Sequence, residues 1–194
     1  RDAYIYCHNK EALEVQKKFA DWAANIMKNL DEKQMQKMLI CEYGGMNEVL
    51  ANTYAITGNK KYLELAYRFY DKKVLDPLGQ QVDDLAGKHS NTQIPKILGC
   101  ARIYELTGDD HMDKIENFFW DAVTGHHTYA PGGNGNYEYF GPADKLSDQL
   151  SDNTMETCPT YNMLKLTNHL FTLHPSAHLM DYYEKALYNH ILAT

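Results

Sequence analysis

The sequence predicts an all-α fold, and three observations support that prediction. Apolar residues recur at helical spacing along the whole chain, as at Met163, Leu166 and Leu170. Strand-like alternation of apolar and polar residues is almost absent. Glycines stand where helices are expected to end, at Gly58 in YAITGN and Gly108 in YELTGD. The 194 residues suffice for one domain, residues 1–194, with a substantial core.

The helical segments follow one another along the chain with recognisable ends. Apolar faces occur, in order, at residues 15–26, 46–54, 62–70, 94–101, 112–119, 163–173 and 179–191. Asp76 precedes Pro77, and a residue before proline is biased out of the α region, so the third segment is predicted to end there. Ser176 is a predicted N-cap for the last helix.

The two glycine turns also reveal an internal repeat. YAITGN at residues 54–59 and YELTGD at 104–109 lie about 50 residues apart, and a degenerate third copy lies at 171–176. A repeat of this length that carries two helices predicts stacked helical hairpins, in either an open solenoid or a closed α/α toroid.

Two irregular segments interrupt the helices, at about 76–95 and 124–157. The second lacks apolar periodicity and carries the glycine-rich run GGNGNYEYFGP. Long irregular segments are uncommon in compact helical domains and tend to be functional. We therefore expect the functional residues to lie in these inserts.

Composition excludes several classes of function. With 19 basic and 26 acidic residues, the net charge of −7 argues against a nucleic-acid surface or an anionic membrane patch. No apolar run approaches the ~18 residues of a membrane span. The N-terminal residues show no signal-peptide order and enter an amphipathic helix almost at once, so we expect a fragment or a processed product. The four cysteines form no C-x-x-C pair and no disulfide scaffold.

The segment METCPTYNML combines a carboxylate and a thiol at the start of a helix. Cys158 precedes Pro159, so its backbone is expected to be extended, and Glu156 should then point to the same side. Proline suits the first helical position, which would put Cys158 at the N-cap, where the helix dipole favours a thiolate. Two interpretations remain open here: a pair of metal ligands or reactive groups, or a half-buried capping thiol beside a surface glutamate.

Further polar residues lie just ahead of helices or inside the inserts. Glu138 is flanked by aromatic residues that could raise a carboxyl pKa toward use as a general acid, although an exposed loop acid is equally compatible. The remaining candidates could hydrogen-bond to sugar hydroxyls, or be merely solvated: Glu42, His89, Asn91, His126 and His127. In a toroid, loops at one end converge on the central cavity, so these residues are expected to cluster.

Four ordered motifs give the chain a family resemblance. CEYGGMNEVLANTYAITGN, GKHSNTQIPKILGCARIYELTGD, HHTYAPGGNGNYEYFGP and SDNTMETCPTYNMLKLTNHLF together resemble the β-L-arabinofuranosidase-type glycoside hydrolases of families 127 and 146, with details closer to family 146. The resemblance implies an (α/α)6 barrel followed by β-rich domains. It also implies a retaining mechanism in which a zinc-bound cysteine thiolate attacks the sugar and a glutamate serves as acid and base.

The resemblance also assigns roles to individual residues. Glu156 and Cys158 match zinc ligands, Glu138 matches the acid/base, and His89, with His126 or His127, matches sugar-contacting positions. The implied substrate is a terminal β-L-arabinofuranose on an oligosaccharide or glycan. The zinc-bound nucleophile and the remaining cysteine ligand form an adjacent pair beyond YNHIL in the family, and this chain has no such pair.

We therefore expect these residues to carry an incomplete barrel, half a zinc site, the acid/base and part of the sugar pocket. Alone, the segment should be inactive, and its exposed apolar helix faces should favour self-association. Two other functions fit the residues: a non-catalytic helical-repeat interaction module, or a metal-free sugar epimerase or hydrolase on a similar toroid. The long insert and the Glu-x-Cys pair argue against the repeat module, whose turns should be short.

Overall fold

The computed structural model describes residues 1–41 and 44–194. The predicted site residue Glu42 lies outside these ranges. Within them the chain forms ten α-helices and, apart from isolated bridges, no strand. The helices are α1 (Asp2–Cys7), α2 (Lys10–Met27), α3 (Glu32–Met38), α4 (Met46–Thr57), α5 (Lys60–Arg68), α6 (Lys72–Gly79), α7 (Ser90–Thr107), α8 (Asp110–His126), α9 (Thr157–Leu173) and α10 (Ala177–Ala186). The predicted all-α class is confirmed.

The helices pack as successive hairpins. Helices α4, α7 and α9 form a row in which each contacts the next. Their hairpin partners α5, α8 and α10 pack against them, and α6 contacts α8. The apolar core lies between the row and these partners, and it includes the fully buried side chains of Leu50, Ile97, Phe119 and Leu166. This arrangement agrees with a segment of a helical toroid.

The two predicted glycine turns are confirmed and are geometrically equivalent. Gly58 and Gly108 are left-handed, with φ of 69° and 72°. Their N–H groups donate to the carbonyls of Tyr54 and Tyr104, each at 2.7 Å. The third copy differs, because His174 ends α9 with φ of −137°, although Ser176 caps α10 as predicted.

The predicted helix end at Asp76-Pro77 is wrong. Helix α6 runs through Pro77 to Gly79, and the break comes earlier, at Asp71, whose side chain caps α6. Val74, Leu75 and Leu78 are buried on one face of α6, and burying that face requires the helical turn that contains the proline. Helix α7 likewise contains Pro95, so the first irregular segment covers 80–89 rather than 76–95.

The apolar face predicted for α2 exists, but it faces outward. Phe19 and Trp22 stack at 5.4 Å while remaining 63% and 57% exposed, and Val15 and Ile26 are exposed beside them. The helix instead buries the adjacent side through Ala20, Ala23 and Met27, so Ala23 is the one buried member of the predicted face. Self-association through this face stays a prediction. Among the described residues no helix is both long and apolar enough to cross a bilayer.

Candidate active site

The first turns of α7 and α9 lie side by side, and they bring several of the predicted site residues to one end of the helix row. The Asn162 side-chain amide, one turn beyond Cys158, donates to Asn91 Oδ1 at 2.7 Å. This bond joins the two helix starts directly. The predicted role of Asn91 in sugar binding is untested, and its side-chain oxygen is already engaged.

The long insert between α8 and α9 is anchored on the start of α7. The Gly87 N–H donates to the Phe140 carbonyl at 2.8 Å, and the Phe140 N–H donates to the Lys88 carbonyl at 2.9 Å. The Ser90 N–H and hydroxyl both donate to the Glu138 carbonyl, at 2.8 and 3.0 Å. A first-turn helix N–H has no partner within its helix, so the Glu138 carbonyl satisfies one such donor.

Glu138 therefore has a fixed backbone and an accessible side chain. Tyr137 and Glu138 are both left-handed, with φ of 46° and 71°, a conformation that non-glycine residues adopt only when their surroundings enforce it. The bonds from Ser90 supply part of that enforcement. The Glu138 side chain remains 60% exposed, so it can reach a ligand.

His89 faces the Glu138 carboxylate. It caps α7 by accepting the Thr92 N–H at Nδ1, at 3.2 Å. Because Nδ1 accepts there, a neutral ring carries its proton on Nε2. That nitrogen lies 3.6 Å from Glu138 Oε2, and the ring packs edge-on against Tyr139. The distance exceeds that of a hydrogen bond, so the two side chains face each other without a direct bond.

The expected extended conformation of Cys158 is wrong. Glu156 is the N-cap of α9, with φ of −70° and ψ of 145°, and Cys158 is the second helical residue. Pro159 is then the third, which is permitted because first-turn N–H groups lack intrahelical partners. The helix therefore begins two residues earlier than the proline predicts.

The Glu156 carboxylate nevertheless acts on the Cys158 thiol. A hydrogen bond with Glu156 is the largest cause that raises the pKa of the Cys158 thiol, followed by burial and by the negative charges of Glu156 and, last, Glu138. The thiol is therefore protonated at neutral pH, contrary to the thiolate that the helix dipole predicts. A cation bound between the two groups would reverse this balance.

The donor types fit zinc, which binds thiolate and carboxylate ligands. Over residues 1–41 and 44–194, however, the structure brings together no group of three or more histidine, cysteine or acidic side chains able to hold a metal. Glu156 and Cys158 therefore supply two donors of a tetrahedral set. Zinc binding itself stays a prediction.

Two of the predicted acids line a common open cavity. A cavity of about 460 Å³ is bordered by Tyr137, Glu138 and the segment 152–156, which includes Glu156. This volume lies within the roughly 300–1,000 Å³ of small-molecule sites. The Tyr137 hydroxyl donates to Asp152 Oδ1 at 3.1 Å across its rim. Asp152 was not among the residues predicted from the sequence. The one signal that could have identified it is its position four residues before Glu156.

The two histidines before the glycine run lie elsewhere. His126 is exposed, and its Nδ1 lies 3.0 Å from Asp144, whose hydrogen bond raises the pKa of the imidazole. His127 is only 2% exposed, with its Nε2 2.8 Å from Asp83 and its ring edge-on to Phe140. Neither borders the cavity beside Glu138. Their predicted contacts with sugar remain untested.

Comparison with known proteins places this chain in a family of glycoside hydrolases. The family described as β-L-arabinofuranosidase, GH127 catalytic domain, matches residues 1–194, and the chain belongs to this family. A solved GH127 β-arabinofuranosidase, BT3674, is similar, with a TM-score of 0.60 and 26% sequence identity. No curated protein matches the chain.

The match to the solved structure covers 74% of this chain and 24% of the other, so the chain spans about a quarter of that protein. The family resemblance predicted from the four motifs is confirmed at the level of GH127. The finer resemblance to family 146 stays a prediction.

Proposed function

We propose that the chain forms part of the catalytic domain of a retaining glycosidase that releases terminal β-L-arabinofuranose from a glycan. The observation that carries this proposal is that Glu138 and Glu156 border one cavity, with Cys158 in the first helical turn that follows Glu156. Family membership supports the sugar, and the cavity that the two acids share supports a reaction at that place.

In this proposal Glu138 is the acid and then the base. It donates a proton to the glycosidic oxygen as the bond to the leaving group breaks, and it later accepts a proton from the water that releases the sugar. The Nε2–H of His89, 3.6 Å from the carboxylate, is placed to bind a sugar hydroxyl beside Glu138 when the substrate enters. The retaining geometry requires the nucleophile to lie only about 5 Å from Glu138.

Glu156 and Cys158 are the proposed zinc ligands within this chain. Bound zinc would keep cysteine ligands deprotonated at neutral pH and contribute positive charge to the site. Glu156 then loses its role as acceptor of the thiol proton. The attacking thiolate proposed for the reaction lies outside residues 1–194.

The acid/base role is tested with Glu138→Gln in the complete natural protein. Hydrolysis of an unactivated glycoside should fall by at least about 10²-fold, because general acid–base catalysis contributes that much or more. An aryl glycoside with a good leaving group needs no acid, so its first step should survive, and added azide should restore turnover to a sugar azide of retained configuration.

Glu184→Gln on the exposed side of α10 is the matched control and should behave like the natural protein. If Glu138→Gln hydrolysed the unactivated glycoside at the natural rate, the acid would have to be another residue and the proposal would be wrong.

A further inference from the structure

A buried histidine uses both ring nitrogens directly behind the candidate site. His190 lies in the π-helical turn Leu187–Ile191 and is 4% exposed. Its Nε2 is 2.9 Å from the Met155 carbonyl, and its Nδ1 is 2.9 Å from the Thr160 hydroxyl. A carbonyl can only accept, so Nε2 carries the proton, and in a neutral ring Nδ1 accepts from the hydroxyl. The two bonds therefore fix the tautomer and the orientation of the ring.

The two partners of His190 flank the Glu156–Cys158 pair. Met155 directly precedes Glu156, and Thr160 follows Cys158 by two residues. Met155 is left-handed, with φ of 66°, so the chain needs support to enter α9 in this conformation. The bond from Nε2 holds the peptide group that joins Met155 to Glu156, which sets the direction of the Glu156 side chain.

The glycine run that leads to Glu138 packs against the same histidine. A Cβ on Gly133 would lie 2.6 Å from His190 Nδ1 and 2.9 Å from Met155 Cβ, so only glycine allows this approach. The Met155 N–H donates to the Gly135 carbonyl at 3.0 Å. His190 therefore contacts both chain segments that carry the acids of the site.

We propose that His190 is a positioning residue that sets the Glu156–Cys158 pair relative to Glu138 through the Met155 carbonyl. The π-helical turn widens the backbone at this point and turns the ring inward, and such turns are frequent at functional sites. The inference deepens the proposed function and rests on it for its catalytic consequence. The geometric consequence, a displaced peptide group between Met155 and Glu156, is independent of the reaction.

The test compares His190→Phe, which fills the space without a donor, with His190→Gln, whose amide can still donate to the Met155 carbonyl. In the complete natural protein, His190→Phe should weaken zinc binding by about 10- to 100-fold, as loss of a group behind a metal ligand does. It should lower kcat about tenfold with KM changed less than twofold. His190→Gln should restore most of both.

A third readout does not depend on activity. In metal-free protein, the Met155 N–H, which donates to the Gly135 carbonyl, should exchange with solvent deuterium several-fold faster after His190→Phe, because the Met155 peptide loses its bond to the ring. The Gly58 N–H, which donates to the Tyr54 carbonyl in another hairpin, should exchange at its natural rate. His178→Phe, on the exposed side of α10, is the matched control and should leave the exchange rate of the Met155 amide unchanged.

The outcomes separate the alternatives. If His190→Phe lowers only the melting temperature, while zinc affinity, the exchange rate of the Met155 amide and kcat stay natural, His190 is merely structural and the inference is wrong. If His190→Phe fails to fold, Thr160→Val, which removes the partner of Nδ1 at nearly constant volume, must show the same changes in weaker form. If the exchange rate of the Met155 amide changes but Glu138→Gln has full activity, the proposed function fails and the positioning role stands.

Discussion

Glu116 carries a buried carboxyl group outside the candidate site, and this group should make the stability of the fold depend on pH. It lies on α8 with no exposed surface, and neither side-chain oxygen has a hydrogen-bond partner. Burial, followed by the negative charge of Asp113, raises the carboxyl pKa from 4.5 to about 8. The folded chain therefore keeps this proton at a pH where the unfolded chain has lost it.

The sign and size of the effect follow from that difference. As pH rises from about 4.5 through about 8, the unfolded state is favoured by up to ~1.4 kcal/mol per pH unit. Between about pH 5 and pH 7 the free energy of unfolding should fall by roughly 2.5 kcal/mol because of Glu116 alone. Glu116→Gln is uncharged at every pH, so this decline should disappear, whatever constant cost its buried amide adds.

The measurement is urea unfolding of residues 1–194, followed by far-ultraviolet circular dichroism at several pH values. The quantity of interest is the difference in unfolding free energy between Glu116→Gln and the natural chain. Glu64→Gln, at an exposed position of α5, is the matched control and should show no pH-dependent difference. A Glu116→Gln difference that stayed constant from about pH 5 to pH 7 would refute the reasoning.

Other changes have equally direct expectations. Gly99→Ala should destabilise the chain by about 1–3 kcal/mol, since its Cβ would lie 2.1 Å from the Asn47 side chain. The control Gly125→Ala should not, because its Cβ would meet no atom within 4 Å. Thermal unfolding measures both effects. Glu156→Gln should lower the pKa of the Cys158 thiol in metal-free protein, so that alkylation at neutral pH is faster, and Glu156→Asp should change the rate less. In the complete natural protein Glu156→Gln should also reduce the zinc bound per chain, measured by elemental analysis, and an unchanged zinc content would remove Glu156 from the ligand set.

The parts of the fold that local chemistry determines were predictable from the sequence. Gly58 and Gly108 end their helices because a left-handed residue is needed there, and glycine adopts that conformation at little cost. Pro77 and Phe19 show where local rules stop. The burial of Leu75 and Leu78 decided the helix at Pro77, and the outward turn of Phe19 depends on which side of α2 finds partners. Both are tertiary effects.

The candidate site was predictable in its acids but not in its supports. Glu138 and Glu156 border one cavity, as their positions ahead of helices suggested. His127 lies in a sequence pattern much like that of His89, yet it is buried beside Asp83. The sequence could not predict this, because it does not reveal which of two adjacent histidines turns inward. No role for His190 was predicted from the sequence, because its two hydrogen bonds join segments about 30 residues apart in the chain.

The bond from the Ser90 amide to the Glu138 carbonyl makes one backbone group a reporter for the whole insert. That amide is protected only while the turn at Tyr137 and Glu138 is seated on α7. Its nuclear magnetic resonance shift and its exchange with solvent deuterium would therefore reveal whether the turn that carries Glu138 is seated on α7 or detached from it. A single signal from the first turn of a helix would thus follow the loop through ligand entry and departure.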